Sequence, residues 1–298
     1  MQAPVGDITL EYDTFGSPDD PTILLVMGLS TQMIAWQPGF CQMFVDRGFH
    51  VVRFDNRDIG LSTKHHGVAS GIIGLPSALK LRLSGKAPYH LSDLANDAVG
   101  LLDHLGVAKA HVVGASMGGM IVQQMAISRP DRLLSMTSIM STTGSPFVGH
   151  AKLEAIRMMF RPESTDRQAA VEATVEVRRI TSPHYFNPVE ARKWAELSFD
   201  RSHYPEGGGR QLAAIFASGN RTRALHSVRV PTLVIHGEAD PLVNISGGRA
   251  TARAIPGAMF KSYATMGHDL PEPLWPELVN DIVTHAERAV RPSSPTAS

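Results

Sequence analysis

Ser116 stands in a segment whose residue types could make its hydroxyl a nucleophile. In His111–Met120, an apolar β-branched run precedes Gly114-Ala115-Ser116-Met117-Gly118, and a helical pattern rich in Met, Ile and Val follows. This order is typical of a nucleophile elbow, in which a strand turns sharply into a helix and exposes the serine oxygen. Gly114 and Gly118 have no side chains, and larger residues at these positions would collide across so tight a bend.

The Gly-x-Ser-x-Gly pattern is weak evidence by itself, because 26 of the 298 residues are glycine and such patterns also arise by accident. The alternative is a glycine-rich turn that carries a surface serine. A serine hydroxyl is a poor nucleophile at neutral pH, so it requires a base that accepts its proton and an acid that orients the base. The rest of the chain must therefore supply a histidine and a carboxylate at suitable positions.

His268 is the predicted general base among the 13 histidines of the chain. It follows the last predicted strand, on a loop that could reach the carboxyl edge of a sheet. His236 lies inside a predicted strand and His285 lies in the final predicted helix, so neither is placed as well. Asp269 is adjacent to His268 and is poorly placed to bond its ring.

Asp240 is the predicted acid, because it comes shortly after the apolar strand Pro231–His236. The pair Asp240-Pro241 favours a fixed turn, which would hold the carboxylate still. Glu238 is the second candidate for the acid, and a purely turn-capping role for Asp240 is the alternative. The predicted catalytic set is Ser116, Asp240 and His268.

Acyl transfer also requires donors for the oxyanion of the tetrahedral intermediate. The backbone N–H of Met117 is the first predicted donor, because it follows the nucleophile at the start of a helix. The second should come from the loop after the strand Thr22–Met27, where Leu29 is the candidate. Ser30 could add a hydroxyl, although a serine at such a position more often caps a helix or turn.

Strand-like apolar runs alternate with helical patterns through most of the chain, which predicts an α/β fold with a mostly parallel sheet. The predicted strands are Thr22–Met27, His50–Asp55, His111–Ala115, Leu134–Met140, Pro231–His236 and Ala258–Tyr263. The predicted helices of this pattern are Trp36–Arg47, Leu91–Leu105, Met117–Arg129, Gly248–Ala254 and Leu274–Ala289.

The alternation stops between residues 142 and 228, where the sequence favours helices and shows no convincing strand. Helix starts are predicted at Thr165–Gln168 and Asn187–Glu190, and Gly207–Gly209 predicts a break before a helix at Gln211–Ser218. We therefore predict an α/β core of residues 1–141 and 229–291, a helical cap or lid of residues 142–228, and a flexible tail of residues 292–298. An insert at the carboxyl end of a strand lies where α/β sheets bind their ligands.

Two further groups of residues invite interpretation. In Asp55-Asn56-Arg57-Asp58, the spacing predicts that Arg57 forms ion pairs with Asp55 and Asp58 that organise a loop, in preference to an acid–base pair. Large apolar side chains could line a pocket for the acyl or alcohol part of a substrate, although such residues more often belong to the core. The pocket candidates are Trp36, Met158, Met159, Phe160, Phe186, Trp194 and Phe216.

Composition narrows the class of protein. Lys and Arg together number 28, as do Asp and Glu, and this balance indicates neither a nucleic-acid partner nor an anionic membrane surface. Cys41 is the only cysteine, which excludes an intrachain disulfide and suits a reducing compartment. The sequence shows no signal peptide, transmembrane span, zinc-spaced Cys/His cluster or phosphate-binding loop, so we expect a cytoplasmic protein without a metal or cofactor.

Three motifs resemble those of the α/β-hydrolase fold superfamily, and the resemblance spans nearly the whole chain. They are Gly114–Gly118, His236–Pro241 and Gly267–Asp269. Their order along the chain, nucleophile, acid and then histidine, is also typical of that superfamily. A narrower resemblance, to bacterial carboxylesterases of the aclacinomycin methylesterase type, rests on Met27–Leu29, Phe54–Ser62 and Gly267–Pro271.

The resemblance implies an α/β-hydrolase fold with a helical lid inserted after the sixth strand, and a serine carboxylesterase that acts on a small ester through an acyl-enzyme, without a metal or cofactor. The neutral overall charge and the apolar residues of the lid predict an uncharged, largely apolar substrate. The same three residues could instead serve lactone hydrolysis, carbon–carbon bond hydrolysis or perhydrolysis. A non-catalytic ligand-binding module of the same fold is a further alternative, which multiple turnover would exclude.

Overall fold

A sheet of eight strands lies at the centre of the structure, a computed structural model that describes residues 1–66, 75–160 and 164–291. The strands are β1 (Gln2–Val5), β2 (Ile8–Phe15), β3 (Thr22–Val26), β4 (His50–Phe54), β5 (Ala110–Ala115), β6 (Leu133–Ile139), β7 (Thr232–Gly237) and β8 (Met259–Tyr263). Their order across the sheet is β1-β2-β4-β3-β5-β6-β7-β8. Strands β3 to β8 are parallel, whereas β1 and β2 pair antiparallel at one edge.

Eleven α-helices are formed by the described residues. They are α1 (Pro38–Val45), α2 (Leu75–Ser84), α3 (Leu91–His104), α4 (Met117–Ser128), α5 (Leu153–Met159), α6 (Arg167–Thr181), α7 (Pro188–Arg201), α8 (Pro205–Ser218), α9 (Thr222–Leu225), α10 (Ser246–Ala254) and α11 (Trp275–Val290). In the part of the chain that the structure describes, none of these helices is long and apolar enough to cross a membrane.

Helices α5 to α9 follow one another between β6 and β7, and the described residues of this stretch form no strand. The prediction of a helical insertion after the sixth strand is therefore confirmed. Residues 142–228 are called the helical insert below. The predicted flexible tail, residues 292–298, lies outside the described residues.

The core consists of two apolar layers, one on each face of the sheet. Side chains alternate along a strand, so Leu24 and Val26 of β3 pack on one face together with α3 and α4. Ile23 and Leu25 point to the other face and pack with α1 and α11. All five residues of β3 are buried, which explains why the strand is a continuous apolar run and not an alternating one.

Of two predictions made from local sequence in the helical insert, a helix start is confirmed and a helix break is wrong. Asn187 caps α7 as predicted, because its side chain accepts two backbone N–H bonds from the first turn. The break predicted at Gly207–Gly209 is wrong, since these glycines lie inside α8. A Cβ atom on Gly207 would lie 2.1 Å from the carbonyl oxygen of Asp58, so the glycine allows α8 to pack against the loop after β4.

Three buried histidines make the stability of the fold sensitive to acid. Burial lowers the pKa of His50, His111 and His285, and it lowers the pKa of His111 to about 4, with the charge of His285 acting in the same direction. In the unfolded chain a histidine titrates near 6.5, so the unfolded state binds more protons between these values. The stability that these histidines contribute is therefore fully present above about pH 6.5 and is lost as the pH falls toward 4.

Replacing His111 by glutamine should flatten this acid dependence. The glutamine amide can keep a hydrogen bond to Ser135, whose Oγ lies 2.8 Å from His111 Nδ1, but it does not titrate. The pKa difference of His111 alone corresponds to about 3 kcal/mol of stability across the window. Thermal melts followed by circular dichroism at a series of pH values measure the slope. His184→Gln, on the exposed surface, is the control and should keep the wild-type slope; an unchanged slope in His111→Gln would contradict the assignment.

Candidate active site

Ser116 lies at the turn between β5 and α4 in a strained backbone conformation. Its φ of 56° and ψ of −116° place it in a region that side-chain-bearing residues rarely adopt. A Cβ atom on Gly114 would lie 2.1 Å from the carbonyl oxygen of Gly118, and one on Gly118 would lie 2.0 Å from that of Val26. Both positions therefore require glycine, as the sequence predicts, and the bend presents the serine hydroxyl at the carboxyl edge of the sheet.

Ser116, His268 and Asp240 form one hydrogen-bonded chain. His268 Nδ1 lies 2.7 Å from Asp240 Oδ2, and His268 Nε2 lies 2.9 Å from Ser116 Oγ. An ionised carboxylate can only accept, so Nδ1 carries the proton and Nε2 is free to accept the serine O–H. Asp240 follows β7 and His268 follows β8. The parallel strands thus bring the three predicted residues to the same edge of the sheet.

Asp240 is held in one orientation by several donors. The backbone N–H groups of Leu242 and Val243 each donate to its Oδ1 at 2.8 Å, and His236 Nε2 lies 3.5 Å from its Oδ2. Burial alone would raise the pKa of Asp240, but the charge of His268 and these hydrogen bonds lower it well below its usual range. The carboxylate is therefore ionised at neutral pH. Sequence reasoning did not foresee the contact of His236.

Glu238, the second candidate for the acid, lies away from the histidine. Its side chain is exposed and accepts a hydrogen bond from Ser262 Oγ at 2.7 Å. Asp269, the neighbour of His268, bonds instead to the Ser182 hydroxyl and accepts the Gly267 N–H at 3.1 Å. Of the acids weighed from the sequence, Asp240 is the one that contacts the histidine ring.

The loop that carries His268 is tied to the helical insert. The backbone N–H of His268 donates to the carbonyl oxygen of Thr181, the last residue of α6, at 2.7 Å. Ser182 donates to the buried Asp269 on the same loop. A Cβ atom on Gly267 would lie 2.1 Å from the Thr181 oxygen, so this contact is close-packed. The sequence contains no signal for this contact, because it joins segments far apart in the chain.

Two backbone amides beside Ser116 are free to bind an oxyanion. In the part of the chain that the structure describes, the N–H groups of Leu29 and Met117 donate to no protein acceptor. Gly28 brings the Leu29 loop close, since a Cβ on Gly28 would lie 3.0 Å from the Cβ of Ser116. The structure therefore leaves both amides available, and their role as oxyanion donors stays a prediction.

The loop that carries Leu29 is held by residues that sequence reasoning missed. Asn56 donates from its amide to the carbonyl oxygen of Met27 at 3.0 Å. Gln211 of α8 accepts the backbone N–H of Ser30 at 3.0 Å, and its amide donates to the carbonyl oxygen of Arg57 at 3.0 Å. Ser30 has a positive φ of 54°, which turns the loop. The helical insert therefore supports this loop through α8.

A cavity of about 980 Å³ lies between the carboxyl edge of the sheet and the helical insert. Ser116 and His268 line its base, while Met158, Trp194 and Phe216 line its insert side, as the sequence predicts. The described residues that line the cavity also include polar and charged side chains, among them Arg157, Glu176 and Arg178. The cavity is large enough for a drug-sized ligand.

Three predicted pocket residues lie elsewhere. Trp36 is fully buried in the core, where its ring stacks on Phe40 with the centroids 5.6 Å apart. It packs there because it precedes α1, which lies on the face of the sheet away from the insert. Phe186 lies half-buried in the connection between α6 and α7, and neither Phe186 nor Phe160 is among the residues that line the cavity. The predictions for Trp36, Phe160 and Phe186 are therefore wrong, and the side chain of Met159 lies outside the described part of the chain.

A family model described as the alpha/beta hydrolase fold matches residues 21–272. The chain belongs to the α/β-hydrolase fold family. This α/β hydrolase is 28% identical over 305 residues to rhodomycin D methylesterase DnrP of Streptomyces peucetius, which covers 95% of this chain and 96% of that protein. The predicted resemblance to bacterial methylesterases is confirmed by this relative.

Two other similar proteins are also hydrolases by name. 3-Oxoadipate enol-lactonase 2 of Acinetobacter baylyi is 28% identical to this α/β hydrolase over 82% of this chain and 80% of that protein. The solved structure of a thermophilic esterase from Thermogutta terrifontis superposes with a TM-score of 0.73 at 23% identity, over 98% of this chain and 99% of that one. The relatives support hydrolase activity, and the solved structure supports the fold.

The ion pairs around Arg57 in this α/β hydrolase differ from those predicted. Arg57 pairs with Asp97 of α3, with both nitrogen–oxygen distances at 2.6 Å. The prediction that it pairs with Asp55 and Asp58 is wrong, because these two carboxylates pair with arginines of the helical insert. They bind Arg201 of α7 at 2.7 Å and Arg210 of α8 at 2.9 Å, respectively. Both pairs join the insert to the loop after β4.

Replacing Arg210 by methionine should destabilise this α/β hydrolase by about 3–5 kcal/mol, because it leaves the Asp58 carboxylate buried without its cation. Asp58 is fully buried and Arg210 is 1% exposed, so water cannot replace the lost partner. Denaturant unfolding measures the loss. Arg167→Met, at the exposed pair of Arg167 with Asp200, is the control and should leave stability unchanged. Equal stability of the two variants would contradict a structural role for the buried pair.

Proposed function

We propose that this protein is a serine hydrolase that cleaves a carboxylic ester through an acyl-enzyme. The observation that carries the proposal is the hydrogen-bonded chain from Asp240 through His268 to Ser116, which opens onto the cavity beside two unused backbone amides. A nucleophile, a base, an orienting acid and oxyanion donors are the parts that acyl transfer requires.

In the first half of the reaction, Ser116 Oγ attacks the ester carbonyl while His268 Nε2 takes the serine proton. The ionised Asp240 stabilises the imidazolium that forms and keeps Nδ1 protonated. The N–H groups of Met117 and Leu29 stabilise the negative charge on the carbonyl oxygen. The tetrahedral intermediate then collapses, and His268 delivers its proton to the departing alcohol.

In the second half, a water molecule gives its proton to His268 Nε2 and attacks the acyl-enzyme carbonyl. The same two N–H groups stabilise the second oxyanion, and the carboxylic acid leaves as Ser116 regains its proton. In this proposal residues 1–141 and 229–291 supply the catalytic groups, and the helical insert acts as a lid over the cavity. Its apolar side chains, Met158, Trp194 and Phe216, suit a small and largely apolar ester.

Lactone hydrolysis is the second candidate, since a lactone is a cyclic ester and 3-oxoadipate enol-lactonase 2 is 28% identical to this chain. The chemistry at Ser116 is the same in both reactions. The difference is that the departing alcohol of a lactone stays attached to the acyl group, so the two candidates are separated by substrate and not by catalytic residues.

Two measurements test the proposal. p-Nitrophenyl esters from acetate to dodecanoate, together with γ- and δ-lactones, are assayed for turnover. For an ester whose acyl-enzyme forms faster than it is hydrolysed, rapid mixing should show a burst of nitrophenol equal to the enzyme concentration. A fluorophosphonate probe should label Ser116 stoichiometrically, as read by peptide mass spectrometry. Turnover of lactones alone would favour the second candidate. The absence of both turnover and labelling would overturn the proposal.

A further inference from the structure

Arg178 of α6 lines the cavity and has no protein partner. The residues that the structure describes provide no carboxylate oxygen within 4.0 Å of its guanidinium and no hydrogen-bond acceptor for it. Burial lowers the pKa of Arg178 from its ordinary value, although the charge of nearby Asp269 acts in the opposite direction. An arginine nevertheless stays charged at neutral pH. Arg178 is half-buried, and a cation partly withdrawn from water without a partner is unfavourable, so its position calls for an explanation.

The anionic side chains around the same cavity already have partners. A carboxylate from outside the protein therefore meets little uncompensated negative charge there. The partners are Arg210 for Asp58, Arg179 for Glu154 and Glu176, and the Ser182 hydroxyl for Asp269. Arg157 of α5 also lines the cavity and has no ion pair with the described residues, so it adds a second, exposed positive charge.

Arg179, the next residue on α6, shows that Arg178 was not left unpaired for lack of acids nearby. Arg179 is exposed and bonds to Glu154 at 2.9 Å and to Glu176 at 2.7 Å. It is not among the residues that line the cavity, whereas Arg178 is. Arg179 is therefore neutralised by ion pairs outside the cavity, whereas Arg178 keeps an unpaired positive charge at the cavity.

Arg178 also lies close to the reacting groups. It is one helical turn before Thr181 and Ser182, which contact the His268 loop, and Asp269 on that loop is near enough to affect its titration. A group bound by Arg178 is therefore near His268 and Ser116. A guanidinium has the fork geometry that binds a carboxylate through two parallel hydrogen bonds.

We propose that Arg178 binds a carboxylate of the substrate, so that the ester or lactone cleaved by Ser116 is largely apolar but carries one negative charge. This inference rests on the proposed function. It differs from the uncharged substrate expected from composition, because the net charge of the whole chain is zero while the cavity holds an unpaired cation. One half-buried, unpaired cation matches one carboxylate, and a doubly charged phosphate would lack a second such partner.

The test compares two substrate pairs that differ only in charge. In the first, p-nitrophenyl hemiglutarate is set against its half-amide, which places the charge on the acyl part. In the second, 4-carboxyphenyl butyrate is set against 4-carbamoylphenyl butyrate, which places it on the alcohol part. The wild type should prefer the charged member of one pair. Arg178→Gln should lower kcat/KM for that ester by about 10- to 100-fold, mainly through KM, and change its neutral counterpart by less than about threefold.

Arg192→Gln is the control, since it removes an exposed arginine of the helical insert, and neither Arg192 nor its partner Glu172 is among the residues that line the cavity; it should keep the wild-type preference. Wild-type preference for neither charged ester, or an equal loss for charged and neutral esters in Arg178→Gln, would overturn the inference and leave the proposed function standing.

Calorimetry with free glutarate separates failure of the inference from failure of the proposed function. Glutarate should bind the wild type and Ser116→Ala equally and bind Arg178→Gln at least about tenfold more weakly. That result supports the carboxylate site even if none of the esters is hydrolysed. Equal binding by wild type and Arg178→Gln, or no binding at all, would overturn it.

Discussion

Ser116→Ala should lower kcat/KM for ester hydrolysis by at least about 10⁴-fold without changing the fold. The Oγ atom is the only group of Ser116 that the proposed reaction uses, and its loss leaves binding and the two amide donors in place. The Cβ atom already exists in the serine, so alanine adds no atom to the tight turn. Steady-state assays with the preferred p-nitrophenyl ester measure the loss, and circular dichroism verifies the fold.

Ser128→Ala is the control for this variant, because Ser128 lies at the exposed other end of the same helix, α4. It should keep wild-type kinetics. The fluorophosphonate probe should label Ser128→Ala but not Ser116→Ala. If Ser116→Ala keeps more than about a tenth of the wild-type activity, the nucleophile is a different residue.

Asp240→Asn should lower kcat by about 10⁴-fold while leaving KM nearly unchanged. An asparagine amide can turn its N–H₂ group toward His268 and stabilise the tautomer in which Nε2 carries the proton. Nε2 could then not accept the proton of the Ser116 hydroxyl, whose Oγ lies 2.9 Å from Nε2. The amide also cannot stabilise the imidazolium that forms during attack. Steady-state kinetics measures the split between kcat and KM.

Glu238→Gln provides the matched control for the acid, since it makes the same chemical change two residues away. Glu238 is exposed and bonds to Ser262, not to His268, so its variant should stay within about twofold of the wild type. Comparable losses in the two variants would contradict the assignment of Asp240 as the residue that orients the base.

The parts of the site that sequence reasoning located are those set by strand ends. Ser116, Asp240 and His268 each follow a predicted strand, and parallel strands end at one edge of a sheet. Their proximity follows from that rule without knowledge of any side-chain contact. The Leu29 loop was located in the same way, since it follows β3.

The parts that sequence reasoning missed depend on contacts between distant segments. The partners of Asp55 and Asp58 are arginines about 150 residues further along the chain, and no local spacing identifies them. Gly207–Gly209 has the composition of a break, yet packing against Asp58 keeps it helical. In both cases tertiary contacts outweigh local preference.

Two further features were missed for the same reason: the strands β1 and β2, and the face of the sheet on which Trp36 packs. Strand β1 at the edge and β2 next to it carry mixed polar and apolar residues, so they lack the continuous buried runs of β3 or β5 by which the sequence indicates a strand. Trp36 has the composition of a pocket residue but packs in the core, because composition cannot say on which face of the sheet a side chain lies.

The hydrogen bond between the backbone of His268 and the end of α6 couples access to the cavity with the reactivity of Ser116. If this end of the insert swings outward to admit a substrate, either the bond to Thr181 breaks or the imidazole travels with the helix. In the second case His268 Nε2 leaves Ser116 Oγ, from which it lies 2.9 Å away, so Ser116 loses its base while the cavity is open on that side. A substrate that enters the cavity on a side away from α6 meets Ser116 with His268 still in place as its base.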